Sequence, residues 1–501
     1  MKNDLLIASE PMTASAHAES RLLIGGEMVA TEERIDSIDP STGAVWTTIP
    51  AATPGDVNAA VAAARAAFEN STWRRDHQNR GLALRRIAEV IRANADLLAE
   101  YESRDNGKAL WATKFEVGNL PRYFDYFAGL ADKVEGSWIP LENNLSATVR
   151  REPLGVIAAV TTWNSPLLLI GQKLAPALAA GNTVVIKPAE NASASSLALL
   201  GLLADEDLLP AGVLNIVTGP ASRSLVEHPG VDHITFTGGD ATAERILAAA
   251  AKGVTSTAIE AGGKAAHIIF EDADLDKALI SAVAGGFISS GQSCTAGTRV
   301  LVQASIWDEF VPRFVERAKR IKVGPSMDPT SNIGPLATGS HWTKVRDLVE
   351  AGVKEGAVRL LGATIAELPS DGYFYPVTVL SDVTTDMTVA QEEIFGPVVT
   401  LIKFKDEADA IQKANSTQYG LASGLWTRDG QKAERVAQAL QAGMIWINCY
   451  RILHWAVPFG GHKRSGIGHE NGITAVNEYT QTKSVMSASY SSQPDPFHLD
   501  N

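Results

Sequence analysis

The chain has 501 residues, 45% of them hydrophobic and 20% charged, and its 44 Lys plus Arg against 57 Asp plus Glu leave a formal net charge of −13. That length can bury large cores and divides into two or three domains, and the acidic balance argues against a nucleic-acid or anionic-membrane partner. No stretch approaches the roughly 18 uninterrupted apolar residues of a membrane span, and the two cysteines, Cys294 and Cys449, point to a reducing compartment, so a cytoplasmic location is expected.

Residues 1–20 contain Asp4, Glu10 and Glu19 but no arginine, and read as a flexible extension rather than a targeting signal. Thr53-Pro54-Gly55 is a start signal for an alanine-rich helix over 56–68, and Leu82, Leu84, Ile87, Val90 and Ile91 predict one long amphipathic helix over 80–98. The pattern then alternates. An apolar strand over 155–160 leads through a loop with Asn164 and Pro166 into a helix over 167–180, with Gly181 as its stop. A strand over 183–186 ends at Lys187-Pro188. This is a right-handed βαβ unit, and ligands of such sheets lie beyond the carboxyl ends of the strands, where Asn164, Lys187 and Glu190 fall. Strands over 213–217 and 233–236 and a helix over 242–251 continue the α/β pattern. Asp272-Ala273-Asp274-Leu275 caps the next helix, 371–375 reads as a loop, 378–380 as a strand and 479–486 as an edge strand; the last dozen residues are tail-like.

Gly291-Gln292-Ser293-Cys294-Thr295 carries the strongest chemical signal. Cys294 follows an apolar run over 282–288 and sits among small and polar residues that leave backbone amides uncrowded, the setting of a reactive thiol with oxyanion donors nearby. Upstream, Glu260 closes a strand and precedes the glycine turn Ala261-Gly262-Gly263-Lys264. A thiol plus a carboxylate able to activate water can form and hydrolyse a thioester. Taken alone, Asn164 reads as a turn residue, Glu260 as a surface carboxylate, and Lys173 and Glu470 as solvated charges. There is no G-x-S-x-G elbow, Walker loop, H-E-x-x-H or C-x-x-C, and no histidine has metal-ligand spacing.

The two segments, together with Thr161-Thr162-Trp163-Asn164-Ser165-Pro166, Val185-Ile186-Lys187-Pro188-Ala189-Glu190, Glu392-Glu393-Ile394-Phe395-Gly396-Pro397-Val398 and Pro458-Phe459-Gly460-Gly461, occur in the order seen in the NAD(P)-dependent aldehyde dehydrogenase superfamily, which the chain resembles over about residues 22–485. The resemblance implies an α/β, aldehyde dehydrogenase-like fold. It would comprise a Rossmann-type cofactor domain over 21–134 and 154–262, an α/β catalytic domain over 263–478, and a small β oligomerisation element over 135–153 and 479–501. It implies NAD(P)-dependent oxidation of a small-molecule aldehyde to a carboxylic acid through a thiohemiacetal and a thioester on Cys294. Asn164 and the Cys294 backbone N–H would hold the oxyanion, Glu260 would activate water, and Lys173 and Glu470 would form a proton relay.

On the same resemblance, Lys187 and Glu190 bind the adenosine ribose, Gly238 and Gly239 the phosphates at a helix start, Glu393 and Phe395 the nicotinamide side, and Thr162 and Trp163 flank the cofactor. A carboxylate at Glu190 favours NAD, with NADP as the second choice. The tunnel walls would be Ser165, Gln172, Ser293, Thr295, Tyr450, Leu453 and Phe459; Ser165, Gln172 and Leu453 stand where several relatives carry aromatics. This predicts a wider, more polar tunnel and an aromatic or functionalised aldehyde, with Arg451, His454 and Trp455 as added polar or stacking contacts. No metal is expected, and the assembly is expected to be a homodimer or homotetramer. The chain departs from the family at the phosphate site: Gly239 replaces the usual serine, Ala243 a usual glycine, and the loop after Val217-Thr218-Gly219 is about three residues short, which predicts weakened cofactor binding. A CoA-acylating enzyme and a non-catalytic protein retaining the fold are the alternatives.

Overall fold

The computed structural model describes residues 20–142, 144–362, 368–488 and 497. The extension expected over 1–20, apart from Ser20, and the tail beyond Ala488, apart from Phe497, lie outside these residues. Two large sheets carry the architecture. The first has eight strands in the order Glu27–Val29, Leu22–Ile24, Leu214–Ile216, Thr183–Lys187, Val156–Val160, His233–Thr237, Ser256–Glu260 and Gly466–Ile467. Its five central strands are parallel.

In chain order these five run outward in both directions from Val156–Val160, the doubly wound arrangement. Four of them, Val156–Val160, Thr183–Lys187, Leu214–Ile216 and His233–Thr237, are buried along their whole length because helices cover both faces. Leu84, Phe124, Leu174 and Leu200 pack on one face; Val57, Val61, Leu225 and Ile246 pack on the other. The helix Pro166–Ala180 ends at Gly181, whose φ of 98° is the left-handed stop expected there.

The second sheet has seven strands in the order Val358–Leu361, Thr378–Ser381, Val398–Phe404, Arg299–Gln303, Ala266–Ile269, Ala422–Trp426 and Met444–Ile447, all neighbours parallel except the first pair. A third, antiparallel sheet joins Ser137–Pro140, Leu145–Pro153 and Thr480–Ala488, with Thr480–Ala488 at its edge. The α/β fold class expected from the sequence is therefore the one observed. One element differs. The helix expected over 80–98 is two helices, His77–Ala93 and Ala95–Asn106, separated by Asn94. The Asn94 side chain turns back to donate to the Val90 carbonyl at 2.9 Å, which competes with continuing the backbone ladder.

The seam between the sheets positions the chemistry. The chain leaves the first sheet at Glu260 and enters the second at Ala266. It later returns, so that Gly466 pairs with Glu260. The segment holding Cys294 lies just before Arg299–Gln303, the neighbour of Ala266–Ile269.

Candidate active site

The helix Leu275–Phe287, capped by the Asp274 side chain on the Lys277 N–H, delivers the chain into a tight turn over Ile288–Gly291. Ser289 and Ser290 both adopt left-handed backbone, with φ of 58° and 57°. L residues rarely hold this conformation unless the surroundings impose it, and here Ser290 donates from its hydroxyl to the Gly334 carbonyl at 2.8 Å. Cys294 follows, half-buried and free. Across the seam, Gly263 allows the approach: a Cβ there would overlap the Cys294 carbonyl. Burial pushes the Cys294 thiol up to about 12, with the negative charges of Glu393 and Glu260 adding to it; the field of Arg451 and the residue's own backbone N–H act in the opposite direction.

Glu260 terminates Ser256–Glu260 and is buried, not a surface carboxylate, and neither of its oxygens has a hydrogen-bond partner. Burial, reinforced by Glu470 and Glu478 and opposed by Lys173, raises its pKa well above the ordinary carboxylate range. Lys173 and Glu470 are not solvated either. They are buried and form an ion pair, and Lys173 also donates to Thr235 Oγ1 at 3.1 Å. One Glu470 oxygen remains without a partner. The structure thus gathers Glu260, Lys173 and Glu470 into one electrostatically coupled buried group beneath the strand ends.

Asn164 leaves the carboxyl end of Val156–Val160 and donates from Nδ2 to the Gln292 carbonyl at 3.1 Å, two residues before Cys294. An amide NH2 has two hydrogens, so one fixes the side chain while the other remains available to a negative oxygen. Asn164→Ala is therefore expected to lower kcat by about 10²–10³-fold, the effect of removing one oxyanion donor, with little change in thermal stability. Steady-state kinetics beside a melting curve check this; an unchanged kcat would remove Asn164 from the site.

The carboxyl edge of the first sheet is built for a ligand. Its order reverses between Val156–Val160 and His233–Thr237, the crevice where such sheets bind nucleotides. Buried polar atoms without partners cluster at these strand ends: Thr161 Oγ1, Thr237 Oγ1 and both oxygens of Glu260. Buried polar groups are otherwise nearly always paired. Gly239 caps the helix Asp240–Gly253, and a side chain there would meet nothing, which leaves free space before the helix N-terminus. Ala243 is buried against the sheet with Ile246 and Ala250. Lys187, buried, reaches the half-exposed Glu190 at 3.4 Å, and burial pulls its ammonium below the usual lysine range. Glu393 accepts from the Gly263 N–H at 2.9 Å, and burial raises its carboxyl to about 7. Phe395 has a φ of 57°, and its carbonyl lies 2.6 Å from His341 Nε2. Burial lowers the pKa of His341 to about 4, so the ring is neutral and carries its proton on Nε2 to donate. Trp163 packs edge-on against Phe395 with ring centroids 5.3 Å apart. Thr162 precedes it, half-buried.

The pattern of the aldehyde dehydrogenase family matches residues 28–485. The chain belongs to that family. It is 41% identical over 485 residues to a (Z)-2-((N-methylformamido)methylene)-5-hydroxybutyrolactone dehydrogenase of Acinetobacter baylyi, covering 95% of this chain and 99% of that one. It is 41% identical over 474 residues to a betaine aldehyde dehydrogenase of Bacillus subtilis, covering 93% and 96%. A crystal structure of betaine aldehyde dehydrogenase from Staphylococcus aureus in complex with NAD+ superposes with a TM-score of 0.93 at 36% identity, covering 97% of both chains.

The residues expected to wall a tunnel lie in different surroundings. Ser165 accepts from Lys108 Nζ at 2.9 Å, and Gln172 is buried. The Ser293 and Thr295 hydroxyls bond to one another at 3.2 Å. Phe459 is buried in the same small cluster as Cys294, and Leu453 is exposed. Tyr450 stacks on His267 with centroids 4.2 Å apart, and its hydroxyl donates to the Thr295 carbonyl at 3.2 Å, so it anchors the segment that holds Cys294.

Sequence reasoning passed over Lys108. Its ammonium is buried and bonds Glu102 at 3.2 Å, Glu116 at 2.5 Å and Ser165, while the other Glu102 oxygen accepts from the Leu167 N–H at 3.2 Å. This network fixes the start of the helix behind Asn164. The available signal was Asp105-Asn106-Gly107-Lys108, where Gly107 adopts a φ of 80° to end a helix and turn the lysine inward.

Proposed function

We propose that this aldehyde dehydrogenase uses NAD+ to oxidise an aldehyde carrying an aromatic or other functional group, by way of a thiohemiacetal and a thioester on Cys294. The observation that carries the reading is the meeting at one seam of a half-buried thiol, an oriented amide NH2 and a buried carboxylate whose oxygens have no partner. Cys294 gives up its thiol proton to water, and Sγ bonds to the aldehyde carbon as the C=O pair moves onto oxygen. The second Asn164 N–H and the Cys294 backbone N–H stabilise that alkoxide. NAD+ bound in the crevice would accept the hydride released as the C=O re-forms. Glu260 then takes a proton from water as the oxygen attacks the thioester, and the C–S bond breaks to return the thiolate. Lys173 and Glu470 lie within electrostatic reach of Glu260 and provide a buried path for the proton it accepts.

Lys187 and Glu190 fit the ribose hydroxyls, Gly239 and the helix start fit the pyrophosphate, and Glu393 with Phe395 fits the nicotinamide side. The exposed Glu190 carboxylate repels a 2′-phosphate, which favours NAD+ over NADP+. A buried water-activating base favours hydrolysis over transfer to a thiol. Product analysis with NAD+ and CoA both present tests this: free acid is expected, and acyl-CoA as the main product would overturn it.

The third sheet supports the reading of the chain as a homodimer or homotetramer. Its edge strand Thr480–Ala488 is exposed, and Trp138, Ile139, Leu145, Val485 and Met486 leave apolar surface open on it. Light scattering is expected to give a mass of two or four chains; the mass of a single chain would contradict this.

A further inference from the structure

Arg451 is a cation whose field reaches Cys294, and the steps above have no use for it. After Met444–Ile447 the backbone turns through left-handed residues at Asn448 and Arg451, with φ of 54° and 56°. Two consecutive side chains then grip opposite ends of the nucleophile segment. Tyr450 fills a space against Gly285, Gly297 and Gly424 and bonds the Thr295 carbonyl. Arg451 donates from Nη1 to the Ile288 carbonyl at 3.3 Å.

That is the only hydrogen bond Arg451 makes among the described residues, although a guanidinium has five N–H donors in a rigid fork. None of its nitrogens is both fully buried and without a partner, and the residue as a whole is half-buried, so the spare donors keep some access to solvent. No carboxylate among the described residues pairs with it. The acid whose field it feels most, Glu116, is already bonded to Lys108, and Lys108 in turn reaches Ser165. A half-buried guanidinium with unused donors loses hydration and gains no counter-ion until something supplies one.

We propose that Arg451 is a specificity-determining residue that receives a carboxylate carried by the substrate, so that the preferred class is an anionic aldehyde, the semialdehyde of a carboxylic acid. This rests on aldehyde oxidation at Cys294. The guanidinium fork matches a carboxylate in two parallel hydrogen bonds, and holding the far end of the substrate orients its carbonyl at the sulfur. Gln172 and Ser165 fit a tunnel that accepts a polar substrate.

The test compares para-formylbenzoate and glutaric semialdehyde, each against its own methyl ester, with the full-length enzyme and NAD+. The wild type is expected to favour each acid over its ester by about 10²-fold in kcat/KM, chiefly through KM, as for a desolvated charge pair. In Arg451→Met that ratio collapses towards one, and Arg451→Lys retains part of it. A wild-type ratio near one, or a ratio that survives in Arg451→Met, overturns the proposal. Binding gives an answer that needs no turnover. Calorimetric titration of para-formylbenzoate into NAD+-loaded Cys294→Ser and into Cys294→Ser/Arg451→Met should show about 10²-fold weaker binding in the double variant. Equal affinities overturn the anchor. Failure of every aldehyde to be oxidised would count against the reaction at Cys294 and leave this comparison intact.

Discussion

Cys294→Ser is expected to abolish turnover, with kcat falling by roughly 10⁴-fold or more, the scale seen when the nucleophile of a covalent mechanism is removed. Nothing nearby can substitute. The other cysteine, Cys449, packs against the same small cluster, but the Asn164 side chain is held at Gln292, two residues before Cys294. The hydroxyls of Ser293 and Thr295 are engaged with each other. A serine hydroxyl at position 294 is a much weaker acid than the thiol it replaces, and the local field, which already disfavours a negative charge there, disfavours an alkoxide more. The exchange of one small polar atom leaves the segment packed and the crevice untouched, so NAD+ binding persists. Rapid-quench kinetics and calorimetry on the same preparation check both halves. Residual turnover within tenfold of wild type would show that the thiol is not the nucleophile.

Glu260→Gln separates the two halves of the reaction. The amide keeps the shape of the side chain and cannot take a proton, so acylation proceeds and hydrolysis stalls. The overall rate falls by about 10²–10⁴-fold, the usual contribution of a positioned base. Intact-mass spectrometry should then show Cys294 carrying the acyl group. Absence of that adduct in a folded, cofactor-binding variant would count against Glu260 as the base. The wild-type pH profile follows from the same group. Burial raises the Glu260 pKa above that of an ordinary carboxylate, so below that raised value it is protonated and cannot accept from water. Hydrolysis therefore increases as pH rises through it, and this limb disappears in Glu260→Gln.

Much of this was legible in the sequence, for identifiable reasons. Strands buried on both faces read as apolar runs, so Val156–Val160 and Thr183–Lys187 stood out, with Lys187 at the end of the second and Asn164 and Glu190 in the segments that follow. Cys294 was conspicuous because cysteine is scarce in the chain and its neighbours are small. Burial of charge was not legible. Lys173 lies beside Gln172 in a mostly apolar helix and its partner Glu470 is distant in the chain, so only the closed fold reveals that neither is solvated. The Lys108 network was hidden for the same reason, since its two glutamates lie on separate helices, its lysine between them and its serine before a third helix. Asn94 failed differently: the apolar spacing runs through it, and only its side chain's bond to Val90 breaks the helix. Tyr450 reads as a tunnel aromatic; that three glycines make room for its ring, and that its hydroxyl bonds the Thr295 carbonyl, was not legible.

The central claim is that hydrogen leaves the aldehyde carbon for NAD+ while that carbon is held on Cys294. A single turnover of excess wild-type enzyme with NAD+ and an aldehyde deuterated at the carbonyl carbon tests it most directly. Mass spectrometry of the products should find one deuterium in the reduced cofactor for each carboxylic acid formed, and none of either product with Cys294→Ser. Reduced cofactor without deuterium, or acid formed without reduced cofactor, would contradict the account.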